Sequence, residues 1–336
     1  MSVTQLCRVS SARRRFLVIY NPIAGRRRGG RLRAVVKAMR ALGAEVTVTA
    51  TRAPGHAGTL ARAVWDSNGT DAQPDAVVAA GGDGTIGEIA GGLLGSDVAL
   101  GIVPLGTANV LAHELGMLKG GWHAGALVRQ LIAGGVRPVH LGRARLQGTV
   151  RSFVMMAGAG FDGAAVRAVN PALKRAIGRL AYGWAGLATL ARGDGGRVRL
   201  VGGGESVEAD WAVVSNGRHY GGAYVLAPQA SIFVPRLTAV AVANGARLGM
   251  VGPLLRLGLG HLSPGGGVRF IEGDSFTLEP LGDEPVWLQC DGDPVGRLPA
   301  KIDLFAQTVR LIAGSPAAAG AAGAACGNLS ATNLND

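Results

Sequence analysis

Continuous apolar runs alternate with amphipathic helical patterns along the first 116 residues of the chain. Three times, a run of mostly apolar residues leads through a glycine-containing loop into a helical pattern; the runs lie at 16–20, 76–80 and 99–103. Strands that are apolar without alternation are typical of a parallel sheet that helices cover on both faces. The pattern therefore predicts an α/β N-terminal domain with a doubly wound parallel sheet.

Helices are predicted where apolar residues recur at helical spacing. They span residues 31–42, 56–65 and 123–134, with two more after residues 84 and 108, and a further strand is predicted at 45–50.

Beyond residue 136 the pattern changes to short strand-like runs separated by Gly and Pro turns, which is typical of an antiparallel β domain. The candidate strands are 139–146, 152–156, 198–201, 209–215, 237–242, 275–278, 286–290 and 301–304, and one helix is predicted at 172–191. The predicted domains are therefore 15–136 (α/β) and 137–313 (β-rich). They are flanked by a disordered basic leader at 1–14 and a disordered tail at 314–336.

Composition indicates a globular chain, because 48% of its 336 residues are hydrophobic and 17% are charged. Its net charge of +12 is concentrated near the start, since eleven basic residues precede the first acid, Glu45. Only 5% of residues are aromatic, which leaves little for base stacking and disfavours nucleic-acid binding. Three scattered cysteines favour a reducing compartment without a zinc site, and no apolar run is long enough to span a bilayer. We expect a cytoplasmic protein that is soluble or peripheral.

Three glycine loops lie where the predicted strands end, which is where doubly wound sheets bind ligands. GGDGT at 81–85 joins a strand to a helix, so its amides can face a phosphate without obstruction by a Cβ atom. Asp83 would repel a bare phosphate, which favours phosphoryl transfer with a divalent cation over simple anion binding. The alternative is a tight turn in which Asp83 caps the helix.

Several motifs together resemble the catalytic domain of the diacylglycerol kinase and sphingosine kinase family, and most of all its bacterial lipid kinase branch. They are NPIAG at 21–25, GGDGT at 81–85, PLGTAN at 104–109, GAGFD at 158–162, NG with YGG within 216–222, APQA at 227–230 and DGDP at 291–294. The resemblance implies an NAD-kinase/phosphofructokinase-like α/β domain, a β-rich C-terminal sandwich domain, and ATP bound with Mg²⁺ in the cleft between them. The acceptor would be a lipid hydroxyl such as that of diacylglycerol.

The resemblance also assigns roles to residues of this chain. Asp293, at the family's catalytic glutamate, would deprotonate the lipid hydroxyl, and Asp83 would act in phosphoryl transfer. The implied nucleotide contacts are Asn21, Gly25, Thr51, Gly81, Gly82, Asp83, Gly84, Thr85, Glu88, Thr107 and Asn109.

Four positions depart from the family pattern. Asp293 is one methylene shorter than the expected glutamate, and Val110 and His140 replace aspartates. Val234 and Pro235 replace an Asp-Gly pair that helps to hold a structural magnesium in the bacterial branch. We therefore predict no metal at that loop and leave the metal ligands unassigned.

Other interpretations remain open at this stage. A nucleotide or lipid sensor without catalytic activity would explain Asp293 and the missing Asp-Gly pair, whereas NAD kinase shares GGDGT but not the NPIAG and PLGTAN motifs together. Gly158, Gly160 and Gly163 spell a dinucleotide fingerprint, but no acidic residue follows at the ribose position. Asp162 would cap a helix or face the acceptor, and His113 with Glu114 is expected on a solvated face.

Contact with an anionic membrane surface is expected for a lipid kinase, and the basic N-terminal residues offer a means. The Arg26 to Arg28 run could equally neutralise nucleotide phosphates or be solvated. The identity of the lipid and the oligomeric state, including a homodimer, cannot be read from the sequence.

Overall fold

The structure, a computed structural model, describes residues 13–23, 28–66, 73–119, 121–168, 195–243, 247–260 and 262–313. The predicted helix at 172–191, Gly25 and Arg26 lie outside the described residues.

Four parallel strands begin the first sheet, in the spatial order β2-β1-β3-β4. They are β1 (Arg15–Tyr20), β2 (Glu45–Ala50), β3 (Ala76–Gly81) and β4 (Ala99–Pro104). Every residue of β3 and β4 is buried, because helices cover both faces of the sheet.

The covering helices are α1 (Gly29–Ala41), α2 (His56–Asp66), α3 (Asp83–Gly92) and α5 (Ala124–Ala133), and a short α4 (Val110–Glu114) follows β4. Alternate residues of β3 face opposite helix pairs. Val78 belongs to the core with α1 and α5, whereas Val77 belongs to the core with α2 and α3. The predicted doubly wound domain is confirmed.

The C-terminal part is an antiparallel β-sandwich, as predicted. Its strands are β5 (Val136–Leu146), β6 (Thr149–Phe153), β7 (Met156–Gly160), β8 (Arg197–Gly202), β9 (Glu205–Ala209), β10 (Trp211–Ser215), β11 (His219–Tyr220), β12 (Tyr224–Val225), β13 (Leu237–Val242), β14 (Val268–Gly273), β15 (Ser275–Leu281), β16 (Trp287–Cys290), β17 (Asp293–Arg297) and β18 (Ala300–Ile312). Among the described residues of this part, two α-helices accompany the strands, α6 (Phe161–Ala168) and α7 (Val251–Gly258). One sheet of the sandwich has the order β14-β13-β10-β7-β16-β17.

The long strand β18 joins the two parts of the molecule. It pairs with β4 through Leu311 and Leu100, and with β5 and β15 of the sandwich. The first sheet therefore continues as β4-β18-β15-β8-β9, so one ten-stranded sheet runs through both predicted domains.

Two predicted strands are divided in the structure. The run at 152–156 bends at Val154 and Met155, because their amides donate hydrogen bonds to the carboxylate of Asp291 instead of continuing a ladder. The run at 209–215 breaks at Asp210, where the chain passes from one sheet to the other.

The last two residues of the leader predicted at 1–14 are folded in the structure. Arg13 is buried, and its guanidinium donates hydrogen bonds to the carbonyl oxygens of Leu131, Ile132 and Gly134. The Arg14 amide donates a 2.7 Å hydrogen bond to Asp75. Both residues therefore belong to the folded domain. Among the residues with described structure, no helix is long and apolar enough to cross a membrane.

Candidate active site

The carboxyl ends of the first four strands lie side by side. Tyr20 is in register with Ala50 and with Ala80, and Gly81 with Pro104. The loops that begin at Asn21, Thr51, Gly82 and Leu105 therefore emerge at one edge of the sheet, as the glycine motifs predict.

Two of these loops touch through their backbones. The amides of Leu105 and Gly106 donate to the Gly81 carbonyl at 2.9 and 3.1 Å. A Cβ atom added at Gly106 would overlap the Gly82 Cα, and one added at Gly82 would lie 3.2 Å from the Gly106 Cα. Glycine is required at this contact because there is no room for a side chain between the two loops.

Asn21 fastens the first loop to the GGDGT helix. Its Nδ2 donates to Thr85 Oγ1 at 3.2 Å, and its Oδ1 accepts from the Ile23 amide at 2.9 Å. Arg28, at the end of the same loop, donates a hydrogen bond to the Gly106 carbonyl. The three loops thus form one connected cradle.

Asp83 begins α3 and directs its carboxylate towards the start of α4. Gly82, not Asp83, is the N-cap residue, and Asp83 Oδ1 accepts from the Leu111 amide at 3.3 Å. Burial raises the pKa of this carboxyl, and the backbone amides of α4 oppose that shift.

Asn109 lies beside the cradle in a left-handed conformation, with a φ of 50°. Its Nδ2 donates to the Gly106 carbonyl at 2.8 Å, whereas its buried Oδ1 has no hydrogen-bond partner in the described structure. A buried acceptor that lacks a protein partner is suited to a bound ligand or water.

Asp293 arrives from the sandwich and faces the cradle. A Cβ atom added at Gly84 would lie 3.6 Å from Asp293 Oδ2. The Asp293 side chain is 47% exposed, and its Oδ2 lies 3.7 Å from an Arg151 guanidinium nitrogen. Asp293, from the sandwich, therefore lies beside Gly84, the residue that follows Asp83 at the start of α3.

Asp291 is a site residue to which the sequence analysis gave no role. Its carboxylate accepts hydrogen bonds from the amides of Val154, Met155 and Met156 at 2.6, 2.9 and 3.0 Å. Burial raises its pKa to about 6, and the nearby charge of Asp83 adds to the shift. The Asp-Gly pair at 291–292 is the sequence signal for this turn, because such a pair favours a turn. In the structure, Asp291 has a φ of 49°.

A buried polar chain supports this turn from behind. Gln289 Oε1 accepts from the Gly292 amide at 2.7 Å, and its Nε2 donates to Asp162 Oδ2 at 2.7 Å. The hydroxyl of Tyr220 donates to the other Asp162 oxygen. Asp162 therefore holds the turn before Asp293 indirectly.

The glycines of the dinucleotide-like motif pack against protein atoms. Cβ atoms at Gly158, Gly160 and Gly163 would overlap Asp162, the Asp210 carbonyl and the Trp287 carbonyl respectively. This arrangement agrees with the sequence-based rejection of a dinucleotide site.

The remaining assigned residues differ in their placement. Glu88 accepts hydrogen bonds from the amides of Gly55 and Ala57 at the start of α2, at 2.8 and 3.1 Å. Its carboxylate therefore caps that helix. Thr107 is exposed in the third loop, and the amide of Thr51 donates to the Tyr20 carbonyl.

Glu114 is buried, contrary to the expectation of a solvated face. Its side chain is 4% exposed and accepts hydrogen bonds from the amides of Arg218 and His219 at 3.1 and 3.2 Å. His219 Nδ1 lies 2.6 Å from the same carboxylate. The contact joins α4 to the β11 hairpin of the sandwich.

No carboxylate occupies the loop with Val234 and Pro235. Arg137 lies over the Phe233 ring there, with the guanidinium carbon 3.7 Å from the ring centroid, and places a cation beside the loop. Within the described ranges, no group of three or more His, Cys, Asp or Glu side chains could hold a metal ion.

The chain matches two protein-family models and resembles bacterial proteins over most of its length. Residues 15–144 match the model of the diacylglycerol kinase catalytic domain, and residues 155–313 match that of the YegS C-terminal NAD kinase beta sandwich-like domain. A Pseudomonas aeruginosa protein named probable lipid kinase YegS-like is 31% identical over 307 residues, which are 89% of this chain and 95% of that one. A relative of the same name from Xanthomonas oryzae is 31% identical over 285 residues, covering 78% and 85%.

Solved structures support the fold. A candidate diacylglycerol kinase from Bacillus anthracis aligns with a TM-score of 0.71 at 20% identity, covering 90% of this chain and 98% of that one. The fold, the matching domain models and the relatives agree, and the chain belongs to the bacterial YegS-like lipid kinase family, whose members carry a diacylglycerol kinase catalytic domain.

Proposed function

We propose that this protein is an ATP-dependent lipid kinase that transfers the γ-phosphate to a lipid hydroxyl such as that of diacylglycerol. The observation that carries the proposal is the approach of Asp293, from the sandwich, to Gly84 in the glycine cradle. A base beside a phosphate cradle is the arrangement that phosphoryl transfer to an alcohol needs.

The cradle fits a nucleotide phosphate. Gly82 and Gly106 leave no side chain between the loops, and Gly84 is exposed at the start of α3. The first amides of a helix have no partner within it, and they attract anions. Asn109 Oδ1 adds a buried acceptor without a protein partner. Asn21 and Thr85 hold the first loop in place, and Arg28 lies where its positive charge favours a bound anion.

The half-exposed carboxylate of Asp293 would accept the proton of the acceptor hydroxyl as that oxygen bonds to the γ-phosphorus of ATP and ADP leaves with the bridging oxygen. The Arg151 guanidinium, which carries the opposite charge, lies 3.7 Å from this carboxylate. Asp291 and Gln289 fix the turn that carries Asp293.

Asp83 is the carboxylate that would hold Mg²⁺ together with nucleotide phosphates, since both oxygens of Asp291 already accept hydrogen bonds from backbone amides. One or two protein carboxylates suffice for Mg²⁺ when phosphates and water complete its shell. When bound, the ion offsets negative charge on the phosphate oxygens.

A lipid acceptor also implies transient contact of a cytoplasmic enzyme with a membrane. The basic residues near the N-terminus would favour an anionic leaflet, although Arg13 is occupied by its hydrogen bonds to carbonyl groups.

The proposal is tested by incubating the protein with labelled ATP and a panel of lipid alcohols. The panel contains a diacylglycerol, a sphingoid base, a glycerophospholipid and an isoprenoid alcohol. We expect one class to become labelled in a reaction that EDTA abolishes. Failure to label any lipid, with ATP bound, would favour a sensor without catalytic activity, an alternative that the shorter side chain of Asp293 supports.

A further inference from the structure

The outward face of α7 is apolar, although α7 already buries its opposite face. Val251, Leu255 and Leu259 are spaced by four residues and therefore share one side of the helix. They are 37%, 62% and 88% exposed, whereas Pro253 and Leu257 are buried. A helix at the surface of a globular protein normally presents polar side chains to water.

Tyr224 extends this apolar face. It is 45% exposed on the β11–β12 hairpin, and the hairpin is joined to the end of α7 by two backbone hydrogen bonds. The Val225 amide donates to the Gly260 carbonyl at 3.4 Å, and the Leu262 amide donates to the Val225 carbonyl at 3.1 Å. We call Val251, Leu255, Leu259 and Tyr224 the α7 surface.

The segment that carries the α7 surface contains no acidic residue of its own. Residues 211–271 include no Asp or Glu and five arginines: Arg218, Arg236, Arg247, Arg256 and Arg269. Three of these arginines pair with glutamates from other segments: Arg218 with Glu114, Arg236 with Glu272 and Arg269 with Glu205. Arg256 lies on α7 itself, and its guanidinium donates to the Gly265 carbonyl from both Nη atoms, at 3.3 Å. An apolar face that carries Arg256 and has no acidic residue in its own segment is complementary to an anionic bilayer, which supplies both hydrocarbon and negative charge.

The α7 surface is also connected to the candidate active site. Tyr220, on the other strand of the hairpin, donates its hydroxyl to Asp162, which holds Gln289 and through it the turn before Asp293.

We propose that the α7 surface is the membrane-docking surface of this protein and that its partner is an anionic lipid bilayer. The inference rests on the proposed lipid kinase function, because such an enzyme must meet its acceptor at a bilayer. Leu255 and Leu259 insert among the acyl chains, Tyr224 lies at the headgroup level, and Arg256 faces the anionic headgroups. The free energy of membrane binding then has one weak apolar and one weak electrostatic contribution, which suits an enzyme that binds a membrane reversibly.

The test is co-sedimentation with sucrose-loaded phosphatidylcholine vesicles, with or without about 30% phosphatidylglycerol. The wild-type protein is expected to bind the anionic vesicles more tightly, and the difference is expected to shrink at high salt. The double variant Leu255→Ser, Leu259→Ser is expected to bind them at least about tenfold more weakly. The matched control is Leu42→Ser, because Leu42 is also 62% exposed but lies at the end of α1. The control is expected to bind like the wild type.

Binding of the double variant within about twofold of the wild type would overturn the proposal. An equal loss of vesicle binding in the Leu42→Ser control would also overturn it. A third contrary result is light scattering that shows a wild-type dimer and a monomeric double variant. Leu259→Ser alone, at a position that is 88% exposed, provides the same comparison if the double variant does not fold. The assay contains no ATP, so failure of phosphoryl transfer and failure of docking are observed separately.

Discussion

Asp162 is a buried carboxyl group that connects Tyr220 to Gln289 and so to the turn before Asp293. It is 1% exposed, and burial raises its pKa to about 6 against the opposing effect of its hydrogen bonds from Tyr220 and Gln289. The folded protein therefore keeps a proton that the unfolded chain, with an Asp pKa of about 3.9, releases at lower pH.

The free energy of unfolding is expected to fall as pH rises from about 4 to about 6, because over this range the unfolded state loses the Asp162 proton first. The contribution of Asp162 is on the order of 2 kcal/mol. Asp162→Asn is expected to lower stability overall, since an amide group would face the Gln289 amide, but to flatten the pH dependence. Denaturant titrations at several pH values measure both effects, and an unchanged slope would exclude the raised pKa.

The residues of the cradle could be predicted from the sequence, whereas their supports could not. NPIAG, GGDGT and PLGTAN identify loops whose chemistry is local. Asp291, Gln289 and Glu114 act through groups that are distant in the chain, such as the Met155 amide for Asp291 and the Asp162 carboxylate for Gln289. These residues acquire their roles only when the fold buries them beside those partners. The sequence of a short motif does not show whether its polar residue will be buried.

At the scale of elements, the contact between the second and third loops depends on two glycines. Gly106→Ala would place a Cβ atom against the Gly82 backbone, which cannot move aside as a side chain can. The loops must separate, and we expect the dissociation constant for ATP to rise at least about tenfold. Isothermal titration calorimetry measures this change. Gly125→Ala, which would meet only the end of the Arg129 side chain, is the control and is expected to bind normally.

Glu88 connects α3 to the start of α2. Glu88→Ala removes the acceptor for the Gly55 and Ala57 amides, and we expect a loss of about 1–2 kcal/mol in the free energy of unfolding. ATP affinity is expected to change less than in Gly106→Ala. The exposed loop residue Glu284 provides the control substitution, Glu284→Ala. A large loss of ATP affinity without loss of stability would instead assign Glu88 to the nucleotide.

Most elements of the N-terminal part follow from the sequence because their apolar periodicity is strong, as in α1 with its buried Leu32, Val35 and Met39. The sandwich was harder to predict. The runs at 152–156 and 209–215 each cross a bend whose cause is tertiary, and α7 escapes prediction because both its faces are apolar.

At the scale of the whole molecule, β18 makes the two parts one structural unit. Its last residues pair with β4 and its first with β15, so neither part can unfold without losing that strand. We expect a single cooperative transition in calorimetry, with equal calorimetric and van 't Hoff enthalpies. Two resolved transitions would show that the parts unfold independently.

The central claim is that carboxylates from both parts of the molecule meet at one phosphoryl-transfer site, and single-turnover transfer from labelled ATP to a lipid alcohol tests it most directly. The account predicts transfer by the wild-type protein and a rate about 10² to 10⁴ lower for Asp293→Asn, with ATP affinity unchanged. Asp293→Glu, which restores the family's glutamate, is predicted to keep most of the rate. Transfer by Asp293→Asn at the wild-type rate would contradict the account.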